Sequence, residues 1–160
     1  MSDIAKNVTG SLVSAVLIAI IFSLWNDFIY KKDDLSGYWE VEYETLQSSY
    51  SKYIGLKTSY EFVIGQTGKT LSGTGEKVSE NSVNGNFEYD PGKRAHLELE
   101  GSLSYRVFSK NTVDIVYKEN GRKRTSSTIL NLVIESNDTM TGTFISTIAS
   151  SKGSVKLTRI

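Results

Sequence analysis

The sequence predicts an all-β domain, a small antiparallel up-and-down β-barrel of about eight strands, preceded by one N-terminal transmembrane helix. Three observations lead there. After Asp33, apolar and polar residues alternate with period two along most of the chain, the spacing of strands with one buried face. Gly, Asn, Asp and Pro cut these runs into short pieces, as tight turns require. Between Asn7 and Asn26 there is not one formal charge.

That uncharged stretch is twenty residues long, and a helix rising about 1.5 Å per residue then spans about 30 Å, the hydrocarbon thickness of a bilayer. Trp25, Phe28 and Tyr30 follow, then Lys31 and Lys32, an aromatic belt with cationic anchors. A cleaved secretion signal is the competing reading. The barely basic MSDIAK start and the bulky LWNDFIYKK flank, with no small-x-small site, count against it. Lys31 and Lys32 favour a cytoplasmic C-terminal domain. Cysteine is absent, so no disulfide framework holds the fold. The expected organisation is a tail at 1–7, the membrane helix with its interfacial end at 8–30, a linker at 31–36 and the barrel at 37–160.

Residues 33–160 keep 15 basic and 16 acidic side chains once Lys6, Lys31, Lys32, Asp3 and Asp27 are set aside. This balance argues against a DNA or RNA partner. Trp39, Val41, Tyr43 and Thr45 alternate with Glu40, Glu42 and Glu44 in the first strand. Further strands are expected at Ser59 to Gln66, Thr70 to Val78, Val83 to Tyr89, Ala95 to Val107, Thr112 to Lys118, Thr125 to Ser136, Met140 to Thr147 and Ser154 to Arg159. Joints fall at Thr67-Gly68, Pro91-Gly92, Asn120-Gly121, Asn137-Asp138 and Lys152-Gly153. Short strands joined in sequence curl shut to remove their edges. The longer connection LQSSYSKYIGLK, Leu46 to Lys57, is placed to cap one mouth.

Catalytic chemistry is poorly supplied, and neither an enzyme, a cofactor nor a metal centre is expected. There is no Cys, and the lone His96 reads as an outward strand residue. GQTGKTLSGTG lacks the earlier glycine of a phosphate loop, with Val63 in its place, and continues as a strand. Glu98 and Glu100, like the glutamates of the first strand, alternate with apolar residues and face water.

Binding chemistry is better supplied. A barrel of this size either fills with side chains or holds one small ligand. Strand parity turns Tyr43, Tyr60, Tyr105 and Tyr117 inward, and tyrosine offers a flat body with a hydroxyl, suiting a heteroaromatic ligand and an ordinary core alike. Lys118, Arg122, Lys123 and Arg124 gather around Asn120-Gly121, with Arg106 across the sheet. Guanidinium groups fit phosphate; a solvated hairpin tip and contact with anionic lipid are the other readings. Ile129, Leu130, Leu132 and Val133 make one strand apolar on both faces, which predicts self-association through its outer face.

An N-terminal membrane segment, a charged linker, the opening Ser36-Gly37-Tyr38-Trp39, then EFVIGQTGKTLSGTG and the closing GSVKLTRI together resemble the membrane-anchored β-barrel effectors of bacterial cyclic-oligonucleotide antiphage defence (CBASS). The Gly-x-Trp opening and glycine-punctuated hairpin also occur in lipocalin-like barrels generally. The resemblance implies a cytoplasmic receptor for a cyclic dinucleotide, anchored by a single pass in the cell inner membrane, whose ligand drives oligomers that disrupt membrane lipids and kill the infected cell. No local motif carries the family's own ligand-contacting positions onto this sequence, but the residues read above fit in kind: Tyr43, Tyr60, Tyr105 and Tyr117 to stack on bases, Arg106 and Arg124 for phosphates. Family members are often described with two membrane spans, whereas Asn7 to Asn26 has room for one. A tethered carrier of an apolar ligand and an envelope scaffold with a filled barrel are the alternatives.

Overall fold

The computed structural model describes residues 12–23, 33–82, 85–106, 108–121 and 125–160. The chain divides into two compact units, Met1–Asp33 and Asp34–Ile160. In the first, residues 12–23 form helix α1, whose side chains are exposed. These 12 residues extend about 18 Å. Among the described residues no helix is long and apolar enough to cross a membrane. The expected span at 8–30 runs past α1 at both ends, into positions outside the described residues.

The second unit holds strands β1 (Gly37–Gln47), β2 (Lys57–Thr67), β3 (Thr70–Ser82), β4 (Gly85–Glu88), β5 (His96–Ser104), β6 (Thr112–Asn120), β7 (Thr125–Ser136), β8 (Thr139–Ser146) and β9 (Lys152–Arg159). Each barrel strand pairs antiparallel with its neighbours in the chain, β1 pairs with β9, and β2 with β3 completes the circuit. The result is a closed eight-stranded up-and-down barrel with one extra strand. It has no barrel edge left to pair with another chain. The expected alternation holds: in β6 Val113, Ile115, Tyr117 and Glu119 are buried while Asp114, Val116 and Lys118 are exposed. His96, Glu98 and Glu100 are exposed on β5 as expected.

Two expectations are corrected. The barrel strand expected at Val83 to Tyr89 is, over its described residues, the short β4: four exposed residues that among the described residues pair only with Ser79–Ser82 at the far end of β3. Within it only Phe87 is large and apolar, so it has no inward face to bury. Lys152-Gly153 is not a turn either but the start of β9. The chain reverses just before it, where Ala149 and Ser150 take left-handed backbone angles, φ 49° and 47°. Gly153 is needed for closeness: a Cβ there would lie 1.9 Å from the Glu44 carbonyl oxygen of β1.

Aliphatic and aromatic side chains fill one end of the barrel. Leu35, Trp39, Leu71, Val113, Met140 and Leu157 are all fully buried. Trp39 Nε1–H donates to the Leu35 carbonyl at 2.9 Å, and Leu35 N–H donates to Gln66 Oε1 at 2.8 Å. Leu35, within the segment expected to be linker, is therefore part of the plug.

Candidate ligand-binding site

Following the inward residues along each strand shows why the other end is hollow. On β1 they run Trp39, Val41, Tyr43, Thr45; on β6 Val113, Ile115, Tyr117, Glu119; on β7, read backwards, Leu132, Leu130, Thr128, Ser126. Each series passes from hydrocarbon through ring or branch to a polar group as the strands reach this mouth. Polar side chains do not fill a core, and a cavity of about 500 Å³ opens among them. That lies within the range of small-molecule sites, roughly 300–1,000 Å³.

The inner wall is aromatic. The ring of Tyr43 meets Tyr60 edge-on at 5.2 Å and Phe144 at 5.1 Å, and Tyr117 stands 6.1 Å from Tyr60 and 5.7 Å from Phe62. Edge-to-face arrays of this kind are rigid and favourable. The roof comes from the connection after β1, where Tyr50, Lys52, Tyr53 and Leu56 line the cavity. That connection contains a short 3₁₀ turn, Ser51–Tyr53, and is tied to the β8–β9 turn: Ser49 N–H donates to the Ala149 carbonyl at 2.8 Å, and Ser151 Oγ donates to Ser48 Oγ at 3.2 Å. The expectation that this stretch covers one mouth agrees with its position.

Polar groups are few and placed at distinct points. Glu119 is only 8% exposed and lines the cavity. The Tyr60 hydroxyl donates to its Oε2 at 2.9 Å. Lys77 pairs with Glu80, and its ammonium lies 5.9 Å from the Tyr60 ring and 5.8 Å from the Tyr89 ring. Thr128 Oγ1 donates to Ser146 Oγ at 3.0 Å. The Tyr43 hydroxyl is buried and finds no well-formed hydrogen bond among the described residues, the Tyr117 hydroxyl being its polar neighbour. Burial pushes the tyrosine hydroxyls up: Tyr43 and Tyr60 well above the usual phenol range, with the neighbouring Tyr117 adding to both, and Tyr117 itself to about 12. All three are neutral hydrogen-bonding groups at physiological pH. Among the described residues no cluster of three or more His, Cys, Asp or Glu could hold a metal ion.

Of the residues read from the sequence as ligand-contacting, the structure brings Tyr43, Tyr60 and Tyr117 together at one cavity. Tyr105 and Arg106 are placed elsewhere, which corrects the expectation. They follow the last residue of β5, whereas Tyr117 pairs with Leu99 near its start. Antiparallel pairing therefore sends them to opposite ends of the hairpin. Tyr105 packs beside the Lys69 ammonium at 5.3 Å, and Arg106 is exposed, its backbone N–H donating to Asn111 Oδ1 at 2.8 Å. Arg122, Lys123 and Arg124 lie outside the described residues. The outer-face strand is also sorted: Leu130 and Leu132 are buried in the core and take no part in an outer surface, while Ile129 is 44% exposed and Val133 is half-buried. Glu119, Lys77, Tyr53 and Phe144 were missed. Carrying the parity of Tyr117 one step further would have found Glu119.

No protein-family model matches the chain, and no curated protein does. Solved structures do. A redesigned β-barrel, mFAP1, bound to DFHBI, aligns with a TM-score of 0.54 at 9% identity over 79% of this chain and 94% of that one. The redesigned barrel mFAP0, also bound to DFHBI, gives 0.55 at 11% identity over 78% and 98%. A third, b11L5F_LGL, gives 0.51 at 15% identity over 79% and 91%. The likeness is one of fold.

Proposed function

We propose that the barrel is the receptor of a membrane-anchored effector of the cyclic-oligonucleotide defence class, and that its tyrosine-walled cavity binds a cyclic dinucleotide. The observation that carries this reading is the cavity itself: flat aromatic walls, Lys52 and Lys77 on its lining, and buried polar groups at Tyr43, Tyr60 and Glu119. Rings suit stacked bases, and ammonium groups suit phosphates. A carrier of apolar ligands fits less well, because hydrocarbon against Glu119 would leave a carboxylate desolvated at high cost. A filled scaffold fits less well still, since about 500 Å³ is empty. The same fold is bound to one small molecule, DFHBI, in mFAP1 and mFAP0.

Anchoring and assembly complete the proposal. α1 is apolar around its circumference, the pattern of a helix surrounded by lipid, and the N-terminal segment holds the protein in the inner membrane with the barrel in the cytoplasm. Assembly uses one row on the barrel's outer face, where Glu100, Val116, Ile129, Ile145 and Lys152 stand opposite one another on five adjacent strands. All five are exposed. Turned by a two-fold axis through Ile129, the row faces its own reverse, setting Glu100 against Lys152 of a second copy around an apolar centre, the self-complementarity an isologous dimer requires.

The direct test is calorimetric titration of the full chain in lipid nanodiscs with a panel of cyclic dinucleotides. At least one is expected to bind saturably and raise the unfolding midpoint, ligand at 100 times its Kd stabilising by about 2.7 kcal/mol. A flat response across the panel overturns the proposal.

A further inference from the structure

Glu119 is the feature of the cavity that a stacking pocket does not explain. The residue is more than nine-tenths buried, and Tyr60 is the one hydrogen-bond partner of its carboxylate among the described residues. A carboxylate offers about four acceptor positions on two oxygens. One hydroxyl satisfies one of them. The nearby cation on the cavity lining, Lys77, is already paired with Glu80. A buried carboxylate gains from each further donor that reaches it, and Glu119 lines the cavity, so a ligand held there can supply them.

A ligand that adds to this set must bring donors, and a carboxylate with two oxygens in one plane best accepts two parallel N–H groups. Among nucleobases, guanine presents a ring N–H beside an exocyclic amino group on one edge. Adenine sets its amino group beside an acceptor nitrogen, and uracil flanks its single N–H with carbonyl oxygens, so each would turn a lone pair toward Glu119. Resting on the receptor reading above, we infer that Glu119, oriented by Tyr60, is the specificity-determining acceptor of this cavity and selects a ligand carrying guanine. Tyr43, Tyr117 and Phe144 supply the walls for a flat bicyclic ring. Tyr60 is a positioning residue: its hydroxyl occupies one acceptor position on Oε2 and leaves Oε1 and the second lone pair of Oε2 for the two N–H groups of the base.

Titration of the full chain in nanodiscs with cyclic di-GMP, cyclic di-AMP and the inosine analogue of cyclic di-GMP, which lacks the exocyclic amino groups, tests this. Cyclic di-GMP should bind about tenfold or more tighter than cyclic di-AMP, with the inosine analogue between them. Glu119→Gln, which turns an amide donor toward the base, should weaken cyclic di-GMP about tenfold while binding cyclic di-AMP no more weakly than the unaltered chain, since a glutamine amide matches adenine's donor–acceptor edge. Should that variant not fold, as judged by near-ultraviolet circular dichroism, the base order of the unaltered chain decides alone. Equal or tighter binding of cyclic di-AMP, or a Glu119→Gln variant that binds cyclic di-GMP unchanged, overturns the inference while the receptor reading stands. No binding of any of the three, together with the flat panel described above, overturns both.

Discussion

The guanidinium carbon of Arg159, at the end of β9, lies 4.7 Å from the centroid of the Trp39 ring on β1. Its nitrogens also donate to three carbonyls: Ser36 at 2.8 Å, Asp34 at 2.6 Å and Asn137 at 3.1 Å. One side chain thereby covers the plugged end, fixes the first residues of the barrel and clamps the β7–β8 turn. Arg159→Ala should cost about 2 kcal/mol through lost stacking and charge-assisted hydrogen bonds. Arg159→Lys should recover less than half of that, since an ammonium cannot reproduce the planar fork. Urea unfolding of the full chain in detergent, followed by tryptophan fluorescence, measures both.

Gly153→Ala should destabilise by about 3 kcal/mol or more, because the new Cβ would overlap the Glu44 carbonyl and force β9 away from β1. Gly92→Ala meets nothing within 4 Å and should change stability by less than about 1 kcal/mol. Paired unfolding curves check the contrast.

Removing a hydroxyl should have opposite consequences at two neighbouring tyrosines. Tyr43→Phe deletes a buried hydroxyl with no well-formed hydrogen bond among the described residues and should leave stability unchanged or raise it by about 1 kcal/mol. Tyr60→Phe strips Glu119 of its donor and should cost about 1–3 kcal/mol. Denaturant midpoints of the two variants, compared at pH 7, decide.

Alkaline pH should unfold the barrel through its buried phenols. Tyr117 is pushed up to about 12 while its unfolded value stays about 10, so the folded state holds the proton longer. The stability this represents is whole below pH 10 and drains away between about 10 and 12. For Tyr117 alone it amounts to about 3 kcal/mol, and Tyr43 and Tyr60 shift in the same direction. Absorbance of tyrosinate near 295 nm should rise cooperatively with loss of far-ultraviolet ellipticity; early, non-cooperative titration of all nine tyrosines would contradict it.

Self-association through the outer row should show itself chemically. The chain has no cysteine, so Ile129→Cys provides a single thiol near the proposed two-fold axis, and mild oxidation should yield a covalent dimer on a denaturing gel. Glu42→Cys, exposed on the outer face of β1, should not. Glu100→Lys should reduce the dimer and Glu100→Lys with Lys152→Glu restore it.

The barrel was legible in the sequence because period-two alternation is a local signal, and residues such as Trp39, Val41 and Tyr43 carry it without reference to anything distant. Where a residue served a distant need, the reading faltered. Gly153 looks like a turn residue until the Glu44 carbonyl is seen beside it. Parity correctly turned Tyr43, Tyr60 and Tyr117 inward, but it says nothing of height along the barrel axis, so Tyr105 and Arg106 were grouped with residues at the other end. Glu119 escaped because the strand was expected to end at Lys118, and a carboxylate just past a strand end is ordinarily solvated. Only the arrival of Tyr60 from β2 shows that it is not. In β7 the two apolar faces were visible, yet only the pairing of Ile129 with Val116 and Ile145 turns one of them into a row.

The plug of Leu35 and Trp39 at one end makes the barrel a cup and not a tube. A ligand of the kind proposed would enter and leave by the one mouth, beside Tyr50 and Tyr53. The buried plug closes the axis, so the membrane disruption proposed above would have to take place outside the sheet.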